Sequence, residues 1–413
     1  MNDSKYFNLM LFSLGIFLIL GISYAYFGTN IIGNETAKKQ TVMTGDLELT
    51  FTDNTEISLD NAFPGDSFTK TISVKNTGTL DASYNLVWTE LTNGIINDEL
   101  VIEATCKRLN SSGTEEGTCE SISQTPIKSN TIKKNISIEP SVTHEYTIKV
   151  TFIDTGNLQD YNKNKSFNGK LGINEYKLPT SVSFADDSWE TIAELVKAGK
   201  TDTYNVGDTK TVDLGTYGTH TLRVANKSTP SECSETGFSQ TACGFVLEFA
   251  DIIIDHAMND TDTNVGGWPA TSMRTFVNND IYNAIPSEIK NAIIDTTVVS
   301  GHGKTSGETN FTSTDKLYLL STAEVWAQGT SNTISDDTAR EVTRQLDYYK
   351  KEGVTTSNYS KAIKMYNSSA SPWRLRSAIS YTASNFYTVR SNGDWSGNNA
   401  IGTYGVSPAF RIG

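Results

Sequence analysis

Histidine and cysteine are scarce in this chain, four of each in 413 residues, and the scarcity excludes much chemistry. No two cysteines stand in a C-x-x-C pair and no histidines in an H-E-x-x-H run, so neither a compact zinc site nor a zincin helix is written in the sequence. A G-x-S-x-G nucleophile elbow is also missing. Positive charge is in deficit: 34 basic against 47 acidic residues leave a net charge of −13, which repels phosphate backbones and excludes nucleic acid as a partner. After the first 27 residues no long uncharged run recurs, so membrane contact is confined to residues 6–27. The aromatic share of 10% excludes a disordered chain.

What is present begins with that run, Tyr6 to Phe27, preceded by Lys5. At about 1.5 Å per residue it just reaches across a hydrocarbon core of roughly 30 Å, so it reads either as a membrane anchor or as a long signal peptide. Ser23 and Ala25 stand at the −3 and −1 positions of a cut before Tyr26, the small-x-small pattern of signal peptidase. Both readings place the remainder outside the cytoplasm, extracellular or on the cell surface. Four cysteines fit that compartment: the sequence pairs Cys106 with Cys119 and Cys233 with Cys243, each bridge local to one domain.

From Thr41 to about Ile173, within a domain spanning 28–175, the hydrophobic period is two. Leu47, Leu49 and Phe51, then Phe68, Ile72 and Val74, Ala82, Tyr84, Leu86 and Trp88, and Tyr146, Ile148, Val150 and Phe152 alternate with polar neighbours. Turn chemistry at Pro64-Gly65-Asp66, Asn76-Thr77-Gly78 and Glu139-Pro140-Ser141 separates them, as in an all-β sandwich, jelly-roll-like. Residues 176–182, with Pro179, read as a linker. Beyond it an α+β domain spans 183–413. Ser188 precedes a helical pattern of Trp189, Ile192, Leu195 and Val196, ended by Gly199. Phe245 to Ile254 reads as one central strand, Pro286-Ser287-Glu288 and the Ser321/Glu324 capping box start helices, and Asp336-Asp337 starts one running to Gly353.

The stretch PGDSFTKTISVKNTGTLDASY, with the leader and AYFGTNIIGNETAKKQTVMTGDLELTF, resembles the camelysin and TasA family of exported Gram-positive biofilm-matrix proteins. That resemblance implies a jelly-roll-like domain, release by a dedicated signal peptidase and self-assembly in surface fibres. A metalloprotease activity described for camelysin is not carried over, since His144 is the only histidine before residue 220. In the second half, Gly266-Gly267-Trp268, Trp373-Arg374-Leu375-Arg376-Ser377 and Gly405-Val406-Ser407-Pro408-Ala409-Phe410-Arg411-Ile412 resemble a domain of unknown function of Bacillota surface proteins. Its closing pattern is similar to the end of a C-type-lectin-like fold, as in formylglycine-generating enzymes.

Weaker motifs are read down. Ser300 to Thr305 ends like a phosphate loop, but Val298 occupies the first glycine position. Asp260, Asp262 and Asn264 begin like a calcium loop, yet Val265 and Thr271 stand where an EF-hand needs glycine and glutamate, which leaves calcium as a weak candidate and no other cofactor. Asp255-His256 reads as a strand end, and Cys233–Cys243 as a bridge, not a redox pair. Trp373, Leu375, Phe386 and Phe410 are assigned to the core. Trp268 and Trp395 are assigned to binding loops, the latter with Asn392, Asp394 and Asn398. The sequence thus describes a noncatalytic exported protein, with a surface glycan or a protein as ligand; the rival readings are a fibre-forming subunit and an extracellular enzyme.

Overall fold

The computed structural model describes residues 31–32, 49–52, 57–58 and 62–413, so the leader and its cleavage position, and Leu47, lie outside the described residues. The chain divides into two compact units between Lys177 and Leu178.

The first unit is built of strands β1 (Ile31–Ile32), β2 (Leu49–Thr52), β3 (Ile57–Ser58), β4 (Ser67–Asn76), β5 (Ala82–Asn93), β6 (Leu100–Leu109), β7 (Glu115–Thr118), β8 (Ile122–Pro126), β9 (Thr131–Ile138), β10 (Thr143–Phe152) and β11 (Phe167–Glu175). They form two antiparallel sheets. One runs β1-β11-β5-β9, with β3 also on β11; the other runs β2-β4-β10-β6-β7, with β8 also on β6. Period-two burial follows the sequence pattern, with His144, Tyr146, Ile148, Val150 and Phe152 of β10 all turned inward. Tyr84, Leu86 and Trp88 of the first sheet share one core with Ile72, Val74 and Ile148 of the second, as in a β-sandwich. Each such aliphatic side chain contributes about 1.5–3 kcal/mol on burial. The predicted turn after β4 closes on Asn76, whose side-chain amide donates to the Leu80 and Ile138 carbonyls at 2.8 and 3.0 Å and whose Oδ1 accepts from Gly78 N–H at 2.9 Å.

The second unit opens with α1 (Trp189–Lys197), capped by Ser188, whose hydroxyl accepts from Thr191 N–H at 3.1 Å. A four-stranded sheet follows the order β12 (Thr209–Asp213), β13 (Thr219–Asn226), β14 (Val246–Phe249) and β24 (Ala409–Arg411). A five-stranded sheet runs β15 (Ile254–Ala257), β23 (Thr403–Val406), β20 (Trp373–Ala378), β21 (Asn385–Val389) and β22 (Trp395–Asn399), with β22 on its edge. Two hairpins accompany them, β16 (Thr296–Ser300) with β17 (Phe311–Asp315) and β18 (Lys364–Tyr366) with β19 (Ser369–Ser371). The helices are short: α2 (Ser272–Phe276) leads through a π turn to α3 (Tyr282–Ala284), and α4 (Ser287–Lys290), α5 (Thr322–Val325) and α6 (Asp347–Lys351) follow. The capping box at Ser321 and Glu324 is present. Among the described residues no helix is long and apolar enough to cross a membrane.

Two expectations change here. The mostly apolar run Phe245 to Ile254 is not one strand: it leaves the first sheet after Phe249 and enters the second at Ile254, and, Glu248 and Asp251 apart, it is apolar because both ends pack in one core. The stretch from Asp336 to Gly353 is helical only at Asp347–Lys351, apart from a 3-10 turn at Arg340–Val342. Asp337 does not cap a helix, because its carboxylate accepts from the Thr322 and Ser377 hydroxyls, and Arg340 is drawn inward to Thr322 and the Trp326 carbonyl.

Candidate functional site

Strand β20 anchors the candidate surface, and all six of its residues are buried. Two of them are arginines, which in water-facing positions would be free. Arg376 forms a fully buried pair with Glu324, Nη2 to Oε1 at 2.5 Å and Nη1 to Oε2 at 2.6 Å, and also reaches the Leu319 carbonyl at 2.8 Å. Burial would raise the Glu324 pKa, yet Arg376 and the hydrogen bonds around the carboxylate leave it lowered. Among the described residues Arg374 has no carboxylate within salt-bridge reach. It donates to the Asn398, Asn399 and Gly402 carbonyls and lies 4.5 Å from the Tyr404 ring, and burial pulls its pKa down to about 10. Arg374 thereby fixes the connection between β22 and β23.

A third buried charge cluster sits in the other sheet. Glu248 of β14 accepts from Arg223, Lys364 and Tyr349, each at 2.8 Å. Burial would raise its pKa, but Arg223 and Lys364 hold it down near 2, while burial lowers Lys364 to about 8. These groups are enclosed and mutually satisfied, so they specify the fold.

On this frame β21 and β22 project a hairpin. Gly393, at φ 90°, closes the turn: its N–H donates to the Arg390 carbonyl at 2.8 Å, and its carbonyl accepts from Trp326 Nε1 at 3.2 Å. Asn392 is exposed and its Oδ1 accepts from Asp394 N–H at 3.1 Å. The Asp394 carboxylate takes the Trp395 N–H at 2.8 Å, the Asn332 amide at 3.3 Å and the Arg390 guanidinium at 3.6 Å. Trp395 is half-buried, its ring edge-on to Tyr387 at 5.9 Å and its Nε1 donating to the Asn332 carbonyl at 3.4 Å. The hairpin therefore gathers Trp395, Asp394, Asn392, Arg390 and Asn332. Asn398 belongs elsewhere, near the far end of β22, where it donates to Thr388 Oγ1 at 2.6 Å and accepts from Tyr404 at 2.7 Å. Asn332 was not singled out by the sequence; it is distant in the chain and carried no local signal.

Trp268 is not a surface anchor. Gly266 and Gly267, at φ 78° and 56°, turn the chain so that the indole is fully buried and donates to Asp315 Oδ2 at 2.8 Å. The calcium candidates do not share one task. Asp262 accepts from Ala400 N–H and the Asn399 amide, both at 3.1 Å, and so ties down the β22–β23 loop. Asn264 is buried with its amide donating to the Thr382 and Asn385 carbonyls at 3.0 and 3.1 Å, and Asp260 is exposed. His256 stacks on Phe276 at 4.3 Å.

The two disulfides are Cys106–Cys119 and Cys233–Cys243. The first lies beside His144: its sulfurs and a His144 ring nitrogen fall within 4.8 Å of one another. Tyr84 OH is 3.0 Å from His144 Nδ1 and 3.0 Å from Tyr146 OH. Burial lowers His144 to about 4, raises Tyr146 to about 12 and raises Tyr84 further.

Residues 8–99 match the family described as Camelysin metallo-endopeptidase, and residues 245–413 match the family described as Domain of unknown function (DUF6273). Both matches are partial in length. No curated protein matches the chain. Among solved structures it is similar to the crystal structure of the infectious bursal disease virus VP2 subviral particle, at 15% identity over 32% of this chain and 33% of that one, with a TM-score of 0.20. The structure of the infectious bursal disease virus Gx strain gives 15% identity over 31% of each chain and a TM-score of 0.20. The chain thus spans about a third of the length of the solved structures it matches. The camelysin description implies a metal. The matched residues 8–99 contain neither histidine nor cysteine, and the one cluster of candidate ligands found among the described residues has both its sulfurs in a disulfide, so in this state the chain does not fit the group.

Proposed function

We propose that the chain is an exported surface or matrix protein whose second unit is a noncatalytic binding module for a glycan or a protein. The camelysin similarity and the two disulfides are consistent with an extracellular setting. The observation that carries the binding reading is the β21–β22 hairpin. Trp395 keeps part of its indole in solvent at a sheet edge, braced by Asn332 and Tyr387 and flanked by Asp394, Asn392 and Arg390. An aromatic face ringed by hydrogen-bonding groups suits a sugar ring or a peptide side chain. The lectin-like reading of this unit rests on its closing strand pattern alone. Retention of the full chain on cells of its own kind tests the proposal. Trp395→Ala is expected to weaken retention about 30-fold, the worth of a hot spot of about 2 kcal/mol, with the melting temperature nearly unchanged. Equal retention of the variant refutes it.

One feature favours the self-assembling alternative. The first unit carries a cleft of about 770 Å³ whose lining mixes the apolar Phe63, Pro64 and Phe152 with the polar Gln159, Asn162 and Lys163, and Phe63 is 75% exposed. Fibres pelleting from purified protein, and their loss in Phe63→Ser, would shift the main role to assembly.

A further inference from the structure

The corner around the first disulfide holds more than a staple. Cys106 on β6 stands opposite Tyr146 on β10, and His144, two residues earlier on β10, shares its inward face. The β6–β7 hairpin returns Cys119 to the same place, its N–H on the Cys106 carbonyl at 3.3 Å. Residues far apart in sequence thus deliver two sulfurs and an imidazole nitrogen within 4.8 Å of one another. The imidazole is already oriented: Nδ1 is hydrogen bonded to the Tyr84 hydroxyl, which is in turn bonded to Tyr146. A hydrogen-bond partner on one ring nitrogen is how protein metal sites fix a histidine whose other nitrogen binds the metal.

We propose that reduction of the Cys106–Cys119 bridge converts this corner into a three-ligand zinc site made of Cys106, Cys119 and His144. The disulfide sulfurs carry no charge and bind metal poorly. A dithiol reductant delivers two electrons and two protons to the S–S bond, leaving two thiols and ending as a disulfide itself. Zinc then displaces both thiol protons to solvent and is held by two thiolates and a neutral imidazole. The two thiolate charges cancel the charge of the ion, which suits a mostly buried position. Cys119 is the less buried of the ligands, so a water reaches the fourth position from its side. The metal would hold β6 and the end of its hairpin together when the covalent link is open.

The test uses the full chain carrying Cys233→Ser and Cys243→Ser, so that only one bridge is reducible. A phosphine reduces it, taking an oxygen from water as the two thiols form, and is removed before metal is added without air. Reduced protein is expected to take up one zinc or cobalt ion per chain, with the visible bands of tetrahedral cobalt, while oxidised protein takes up none. X-ray absorption of the zinc form should show two sulfurs at about 2.3 Å and a nitrogen at about 2.0–2.1 Å. Tyr84→Phe is expected to weaken binding about 10- to 100-fold and His144→Ala by more than that. Uptake no tighter than in Cys106→Ser/Cys119→Ser, equal uptake by oxidised protein, or a shell with fewer than two sulfurs overturns the proposal. The absorption measurement needs no substitution at the site, so it decides the matter even if His144→Ala unfolds.

Discussion

Replacing Arg376 by methionine removes the cation of a pair in which both side chains are fully buried. Glu324 then loses two charge-assisted hydrogen bonds and keeps the Ser321 N–H and the Thr343 hydroxyl, both at 2.9 Å, with Thr241. The Leu319 and Val299 carbonyls also lose a donor. Orphaning one partner of a buried pair costs about 3–5 kcal/mol, and a unit of this size loses about 2–4 °C of melting temperature per kcal/mol. A fall of roughly 6–20 °C in the second unit's transition is expected by calorimetry. The pH dependence supplies a second check. Without Arg376, burial acts on Glu324 against only the remaining hydrogen bonds, among them those from Thr241 and Ser321, and its folded pKa rises, above the unfolded value of about 4.3 where burial wins. The folded variant then binds the extra proton, so its deficit against the parent shrinks as pH falls through that raised pKa. Arg376→Met/Glu324→Gln, which has no orphaned charge, should recover at least about 1 kcal/mol of the loss at neutral pH. A fall under about 2 °C, or a deficit constant between pH 7 and pH 4.5, refutes the reasoning.

Three further outcomes are expected. His220 places Nδ1 2.8 Å from the Asp251 carboxylate and Nε2 2.9 Å from the Tyr217 carbonyl, two acceptors that favour the imidazolium; burial pushes its pKa down, but these bonds leave it raised. Its stabilising contribution is therefore full below the unfolded value of about 6.5 and lost as pH rises through the higher folded value, and His220→Gln should flatten the parent's decline in melting temperature over that window. Gly393→Ala should destabilise the second unit by at least about 2 kcal/mol in urea titration, because φ is 90° and a Cβ would come within 2.1 Å of the Tyr359 carbonyl oxygen. N-terminal sequencing of protein extracted from the cell surface should begin at Tyr26, and an intact Met1 or Asn2 would establish the membrane anchor instead.

The first unit was the more legible. Antiparallel strands advertise themselves by alternation, and β10 shows the same every-second-residue burial in space that it shows in sequence. In the second unit, the capped helix α1 and the capping box at Ser321 are local signals and were readable for that reason. Arg374, Arg376, Lys364 and Glu248 were not, since charged residues normally mark a surface and their burial depends on partners from distant strands. Trp268 misled because a Gly-Gly turn permits either direction for the next side chain, and the core that buries the ring, with Asp315 taking its N–H, is assembled from distant residues. Trp395 looked like a loop residue because β22 is an edge strand of polar side chains, with no apolar alternation to betray it.

The pairing of β14 has a consequence for how such proteins are assembled by recombination. Similarity to the uncharacterised family starts at Phe245, one residue before β14, yet that strand lies between β13 on one side and β24 on the other. A segment exchanged between genes at that border would carry a strand with one ladder open, and Glu248 would arrive without Arg223. The chain's last strand would still close on it from the other side, but the recipient would have to furnish a hairpin equivalent to β12 and β13. A cassette that keeps both ladders of β14 would therefore begin ahead of β12, longer at its front than the part by which kinship is recognised.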